Sequence, residues 1–204
     1  MKIILASGSP RRKELLAQAG YDFVIEVSDA DENIQAENPG ELVEELSCLK
    51  VQAVAHNHRN TEEICTIIGA DTVVALEGKI LGKPENEGAA MQMLRSLSGK
   101  THQVYTGVSL LLLQNGQQVT EEKFHVCTDV TMRKITEEEL IQYVNTGEPM
   151  DKAGAYGIQG KAAMFISGIC GDYYNVVGLP LCETVSRLRQ LWKEWETHEK
   201  ILEN

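Results

Sequence analysis

Cysteine is scarce and unpatterned. The five residues Cys48, Cys65, Cys127, Cys170 and Cys182 are an odd number, widely spaced, with no CxxC pair. This excludes a zinc signature and a disulfide framework, and fits free thiols in a reducing compartment. Long apolar runs are missing as well. None approaches the roughly 20 residues that span a bilayer. The apolar stretch in "MKIILASGSPRR" is too short for a signal peptide. No membrane association is expected, and a cytoplasmic location is. Basic charge is in deficit, 19 Lys and Arg against 30 Asp and Glu for a net charge of -11, which excludes a non-specific nucleic-acid coat. The histidines are scattered. His56 and His58 in "HNHRN" read as a solvated loop after a helix. No repeat, low-complexity tract or linker interrupts the 204 residues, so residues 1–204 are expected to form a single domain.

What is present is an alternation of strand and helix patterns. "KIILAS" reads as a short buried strand, with Ser9 as the cap and Pro10 as the first residue of the helix that follows. Leu15, Leu16 and Ala19 would line that helix's inner face, and Gly20 would end it. "FVIEVSD" reads as a second strand. Residues 39–56 form an amphipathic helix with Leu42, Leu46, Leu49 and Ala53 inward. "CTIIGADTVVAL" is a β-branched run that turns at Glu77-Gly78 and returns through "KILGKP". A helix over "ENEGAAMQMLRSLSG" precedes a long hairpin turning at Asn115-Gly116. Thr136 and Glu139 make a capping box. A glycine-rich loop, "DKAGAYGIQGKAA", leads to a last strand and a C-terminal helix, whose Trp192 and Trp195 pack on the body or on a partner subunit. The class is α/β with mixed strand directions.

Four places carry chemistry. In "ASGSPRRKELL" a strand stops at small residues and turns into a helix, so amides, the helix dipole, Arg11 and Arg12 converge on one spot suited to an anion. It lacks both GxxxxGK[ST] and GxGxxG, and a solvated basic turn is the alternative. Asp71 sits among apolar neighbours, where a carboxylate must be paired or metal-bound. Lys83 on the returning strand would fall opposite Thr72, or opposite Asp71 with one more loop residue. Asp29, Asp31 and Glu32 in "SDADEN" offer oxygens suited to Mg²⁺, and Lys50 is one more cation, unless it snorkels. In "AGAYGIQG", Gly154, Gly157 and Gly160 permit close backbone approach, while Tyr156 offers a ring for stacking and Gln159 an amide able to read a base edge.

The motifs "LASGSPRRKELL", "GADTVV", "GKP", "LSGKTHQVYTGV", "GEPMDKAGAYGIQG" and "GDYYNVVGLPL" occur in that order, from residue 2 to about residue 185. In this the chain resembles the Maf, or septum-formation, family of nucleoside triphosphate pyrophosphatases. The resemblance implies an elongated two-lobed molecule built on a strongly twisted mixed sheet with flanking helices and a central cleft, similar to inosine triphosphate pyrophosphatases and commonly a homodimer. It implies cleavage of a nucleoside triphosphate to monophosphate and pyrophosphate with Mg²⁺ or Mn²⁺. By position, Asp71 matches the proton acceptor and a metal ligand, and Glu32 an acidic position that helps hold metal. Ser7, Arg12, Lys50 and Lys83 match the positions around the phosphates. Arg11, Thr72 and Gln159 match the branch that prefers dTTP, UTP and modified pyrimidine nucleotides over 7-methyl-GTP. A house-cleaning role goes with that activity. The rival, suggested by the family's link to septum formation, is a non-catalytic nucleotide sensor that regulates division.

Overall fold

The structure, a computed structural model, describes residues 1–30, 34, 36 and 38–202. Its frame is a seven-stranded mixed sheet in the order β2-β1-β3-β5-β6-β7, with β4 also paired to β3. The strands are β1 (Lys2–Leu5), β2 (Val24–Ile25), β3 (Cys65–Leu76), β4 (Lys79–Leu81), β5 (Thr101–Gln114), β6 (Gln117–Met132) and β7 (Ile166–Cys170). The helices are α1 (Pro10–Gln18), α2 (Pro39–Asn57), α3 (Glu87–Leu97), α4 (Glu137–Val144), α5 (Tyr173–Val177) and α6 (Leu181–Leu202). No helix among the described residues is long and apolar enough to cross a membrane.

β3 changes partner along one edge. Its first residues run parallel to β1, as far as the pair Leu5–Ile68, and its last run antiparallel to β4, from the pair Val74–Leu81. Among the described residues, 69–73 therefore have no ladder partner on that edge, while β5 pairs with them throughout on the other. The two hairpins form as expected. Glu77-Gly78 and Asn115-Gly116 are two-residue turns with positive φ at both residues, 51° and 79°, then 52° and 72°.

Because side chains alternate across a strand, β3 feeds cores on both faces of the sheet. Ile68 and Ala70 join Leu15, Leu16, Leu188 and Leu191 on the face covered by α1 and α6. Cys65 and Ile67 join Val51 and Val54 under α2. Further along, Val74 and Leu76 pack with Leu94, Leu97, Tyr143 and Phe165 beneath α3 and α4. Trp192 and Trp195 lie half-buried against the first of these cores, their indole N–H groups bonded to Thr66 Oγ1 (2.8 Å) and Gln114 Oε1 (3.1 Å). Both indole N–H groups are thereby spent on the body.

The sequence pattern misplaces some details. The strand in "FVIEVSD" shrinks to Val24–Ile25, both exposed, because it lies at the sheet edge and leaves β1 after the Glu26 N–H meets Leu5 O. Ser9 holds the cap position without a side-chain cap bond, and its own N–H donates to Ser7 Oγ at 3.3 Å. α2 is rotated from its expected face. Leu42 and Leu46 are buried, but Leu49 and Ala53 only half so, while Val43, Ser47, Lys50 and Val54 complete the buried stripe. A cation on that stripe is what apolar periodicity cannot anticipate. His56 lies inside α2, and His58 caps it while bonding Glu26 at 2.7 Å.

One buried polar pair sits in the α3–α4 core. His102 is 0% exposed, its Nε2 2.7 Å from Tyr156 Oη, with Nδ1 unpartnered. Burial pushes its pKa down to about 4, against a smaller opposing pull from Asp129. The unfolded chain then binds a proton near pH 6.5 that the folded chain refuses until about pH 4. Stability attributable to His102 is therefore full above pH 6.5 and falls by about 3 kcal/mol as pH drops to about 4. Urea unfolding at pH 7, 5.5 and 4.5 should show a shallower decline for His102→Gln than for the wild type; equal slopes would contradict the assignment.

Candidate functional site

A cleft of about 890 Å³ opens at the unpaired stretch of β3. The strand-to-helix turn before α1 forms one wall and the end of β4 another, and the loop between α4 and β7 closes the far side. Consecutive residues of β3 serve its two faces. Asp71 points toward α2 and Thr72 toward α1 and α5, as their partners show.

Asp71 Oδ1 accepts from Lys50 Nζ at 2.5 Å, with only 15% and 10% of the two side chains exposed. The sequence suggested Lys83 for this pairing. β4 stops at Leu81, however, and the two-residue turn sets a register that would bring Lys83 level with Thr72. Lys83 stays exposed on the cleft wall. The snorkelling alternative for Lys50 is also excluded, since the residue is 8% exposed. Two glycines let α2 come close enough for the pair to form. A Cβ on Gly107, opposite Asp71 on β5, would overlap the Val43 carbonyl, and one on Gly69 would lie 2.6 Å from the Ser47 carbonyl. Ser47 and Ser109 add a buried hydroxyl contact of 2.8 Å along the same seam.

On the opposite face, Arg12 is held by its surroundings. Nε donates to Gly178 O at 2.8 Å, Nη1 to Ser7 Oγ at 3.2 Å and Nη2 to Thr72 Oγ1 at 3.0 Å. These bonds fix the plane of the guanidinium fork at the cleft. Ser7, 7% exposed, and Thr72 thus reach the site partly through Arg12. Arg11, half-buried, lines the cleft beside it.

The far wall carries Gln159, exposed, on the loop of Gly157 and Gly160. Tyr156 is 5% exposed, with its hydroxyl spent on His102, so it is core rather than a stacking ring. Sequence reasoning passed over the turn beneath this loop. Glu148 accepts from Tyr143 Oη at 3.0 Å and from the Lys161 N–H at 3.0 Å, and it fills the space a Cβ on Gly160 would need. The Lys152 stem covers Gly157 in the same way, with Nζ bonded to Glu148 O (2.8 Å) and Asp151 Oδ1 (2.6 Å). The ammonium, with a smaller contribution from Arg11, holds the Asp151 carboxyl below its usual range. The only signal for this support was the glycine spacing itself.

The structure thus brings Ser7, Arg11, Arg12, Lys50, Asp71, Thr72, Lys83 and Gln159 to one cleft. Asp31 and Glu32 lie outside the described residues. Among the described residues no group of three or more His, Cys, Asp or Glu could hold a metal. Among the described residues, Asp71 is the carboxylate paired with Lys50 at the open edge of β3, while Glu148 and Asp151 line the far wall. That fits a hard cation taking one or two carboxylates and most of its shell from water and phosphate oxygens, rather than a full protein cage.

A cleft that sets several cations around one paired carboxylate is equipped to bind a polyanion and to move a proton beside it. The comparisons agree with that class. The family model described as "Maf-like protein" matches residues 2–191, and the chain belongs to the Maf family. A protein named dTTP/UTP pyrophosphatase from Agathobacter rectalis is 50% identical, covering 93% of this chain and 97% of its own. One of the same name from Bacillus mycoides is 52% identical, covering 93% and 95%. Among solved structures, a HAM1 protein from Coxiella burnetii aligns over 95% of this chain and 99% of its own, at 13% identity and a TM-score of 0.44. Overlap that loose carries no functional weight.

Removing Lys50 alone strands a buried carboxylate. Lys50→Met should cost about 3 kcal/mol or more in urea unfolding. The double variant with Asp71→Asn should lose clearly less than the two single losses added together, because no unpaired charge then remains. Additive losses would mean that the two groups do not interact.

Proposed function

We propose that this protein is a nucleoside triphosphate pyrophosphatase that hydrolyses dTTP and UTP, and modified pyrimidine nucleotides with them, to the monophosphate and pyrophosphate. The observation that carries the reading is the buried Lys50–Asp71 pair at the open edge of β3, faced by Arg12 and Lys83 across one cleft. The names of curated relatives at 50% and 52% identity support the substrate class.

In this mechanism the triphosphate lies along the cationic side of the cleft. Arg12 presents a fixed fork to its oxygens, and Lys83, exposed on the cleft wall, meets the charge that builds on the leaving pyrophosphate. Asp71 takes a proton from the attacking water as the new oxygen–phosphorus bond forms at the α-phosphate and the bond to the bridging oxygen breaks. Lys50 holds that carboxylate in place through its hydrogen bond to Oδ1. A divalent cation, Mg²⁺ or Mn²⁺, when bound would supply Lewis-acid polarisation of the phosphate; Asp71 and Glu32 are the residues assigned to hold it. Gln159 reads the base with its amide, and Arg11 and Thr72 contribute to the choice of nucleotide.

The proposal treats residues 1–204 as one domain, with two lobes about the cleft. It takes the enzyme as a cytoplasmic homodimer with a house-cleaning role. The five free cysteines support a reducing compartment.

Pyrophosphate release from dTTP, UTP, CTP, GTP and 7-methyl-GTP, measured with Mg²⁺, Mn²⁺ or EDTA, tests this directly. Metal-dependent release favouring dTTP and UTP is expected, and Asp71→Asn should lower turnover roughly 100-fold or more while leaving a folded protein. Binding of dTTP without release of pyrophosphate from any nucleotide would replace the enzyme with the sensor. Preference for 7-methyl-GTP would discard Arg11, Thr72 and Gln159 as pyrimidine-selecting residues.

A further inference from the structure

Thr106 lies within the motif "LSGKTHQVYTGV", where the sequence assigns it no role, yet it stands directly behind the cleft. It is 0% exposed and stands opposite Thr72 in the β3–β5 register. Its Oγ1 is 2.9 Å from Thr72 Oγ1 and 2.9 Å from the carbonyl oxygen of Asn175 in α5. A hydroxyl has one proton to give, and a carbonyl has none. The Thr106 proton therefore goes to Asn175 O. The contact between the two threonines must then use the proton of Thr72. With that proton turned inward, Thr72 Oγ1 faces Arg12 Nη2 with a lone pair, at 3.0 Å.

The end of this chain is itself fixed. Asn175 is 0% exposed, and its Nδ2 donates to Val104 O at 2.9 Å and to Thr128 Oγ1 at 2.8 Å. Thr128 Oγ1 in turn donates to Asp172 O and accepts from the Asp172 N–H, both at 3.1 Å. α5 is thereby anchored to β5 and β6. It grips Arg12 twice, through Gly178 O and through the two hydroxyls.

We propose that Thr106 is a positioning residue for Arg12: by taking the only hydroxyl proton of Thr72 it makes Thr72 an acceptor aimed at the guanidinium. Thr72 then has no proton left to donate to a nucleotide, and what it does at the phosphates runs through the grip of Arg12. The proposal rests on the pyrophosphatase reading only where turnover is measured.

The test compares Thr106→Val, which keeps the shape and removes the hydroxyl, with Thr106→Ser, which restores it. Tripolyphosphate, a probe without a base, reports the phosphate grip by calorimetry and by inhibition of pyrophosphate release. The valine variant should bind tripolyphosphate about tenfold more weakly, the loss expected for one hydrogen bond to a charged group. Its kcat/KM should fall by a similar factor for dTTP, UTP and CTP alike, and serine should recover most of both. Thr72→Val cuts the same chain from its solvent side and should give the same readings should Thr106→Val fail to fold. Where both fold, the double variant should be no worse than either alone.

Unchanged tripolyphosphate affinity with only a lowered unfolding midpoint would make Thr106 a structural residue and overturn the proposal. So would a changed dTTP-to-CTP ratio at unchanged tripolyphosphate affinity. A wild type that releases no pyrophosphate would end the pyrophosphatase reading, and tripolyphosphate binding would still decide the role of Thr106.

Discussion

Everything at the cleft follows from one edge of one strand. β3 is parallel to β1 at its start and antiparallel to β4 at its end, and in between, over residues 69–73, that edge has no strand partner among the described residues. A stretch with unpaired backbone groups must meet water or a ligand, because burying them unpaired is costly. The change of partner also makes this a switch point of the sheet, where open α/β folds leave room for ligands beyond the strand ends. Side chains from both faces of the sheet can then reach one space. Asp71 comes with Lys50 and α2 behind it, and Thr72 with Arg12 and α5 behind it. Had β1 or β4 continued along this edge, the sheet would separate the two groups.

The two faces are held by different physics. On the α2 side the constraint is steric. Gly69 and Gly107 remove the Cβ atoms that would keep the helix away, and their absence brings a buried ammonium to a buried carboxylate. A buried pair of this kind is weak evidence for stability, since desolvation offsets much of its attraction. Its value lies in fixing one carboxylate at one place. On the α5 side the constraint is directional, a series of hydrogen bonds in which each proton has one destination. Sterics set how near the acid comes, and hydrogen-bond direction sets how the cation faces it.

Much of this was legible in residue types, and some of it only in register. Asp71 stood out because a carboxylate among Ile, Val and Ala demands a partner. The sequence named the wrong one, because a lysine on the neighbouring strand is visible from turn length, whereas a lysine on a packed helix face is not. Lys50 breaks the apolar periodicity of α2, and periodicity rules place such a residue outside. The strands and both hairpins followed from β-branched runs and from Gly after Glu77 and Asn115. Val24–Ile25 fell short of its pattern because an edge strand needs pairing on one side only, and pattern does not say where pairing stops. The Thr72–Thr106 hydroxyl contact lies beyond sequence reasoning altogether, since it depends on the β3–β5 register.

The far wall extends the same logic to the choice of nucleotide. Gln159 sits on a loop whose glycines exist for the sake of the side chains beneath them, Glu148 under Gly160 and Lys152 under Gly157. The Gly154 N–H bonds Gly82 O at 3.0 Å, so the loop is tied to the chain just before Lys83. In the proposed function, the group assigned to the base and the group assigned to the phosphate are therefore joined through one backbone hydrogen bond. Nucleotide length becomes a built-in ruler: the separation of base reader and phosphate cation is set by the fold rather than by either side chain. Discrimination in such a site need not come from the reading amide alone. Under the proposed function, a base that displaced the loop would also shift the segment leading into Lys83, and the penalty would be felt at the phosphates.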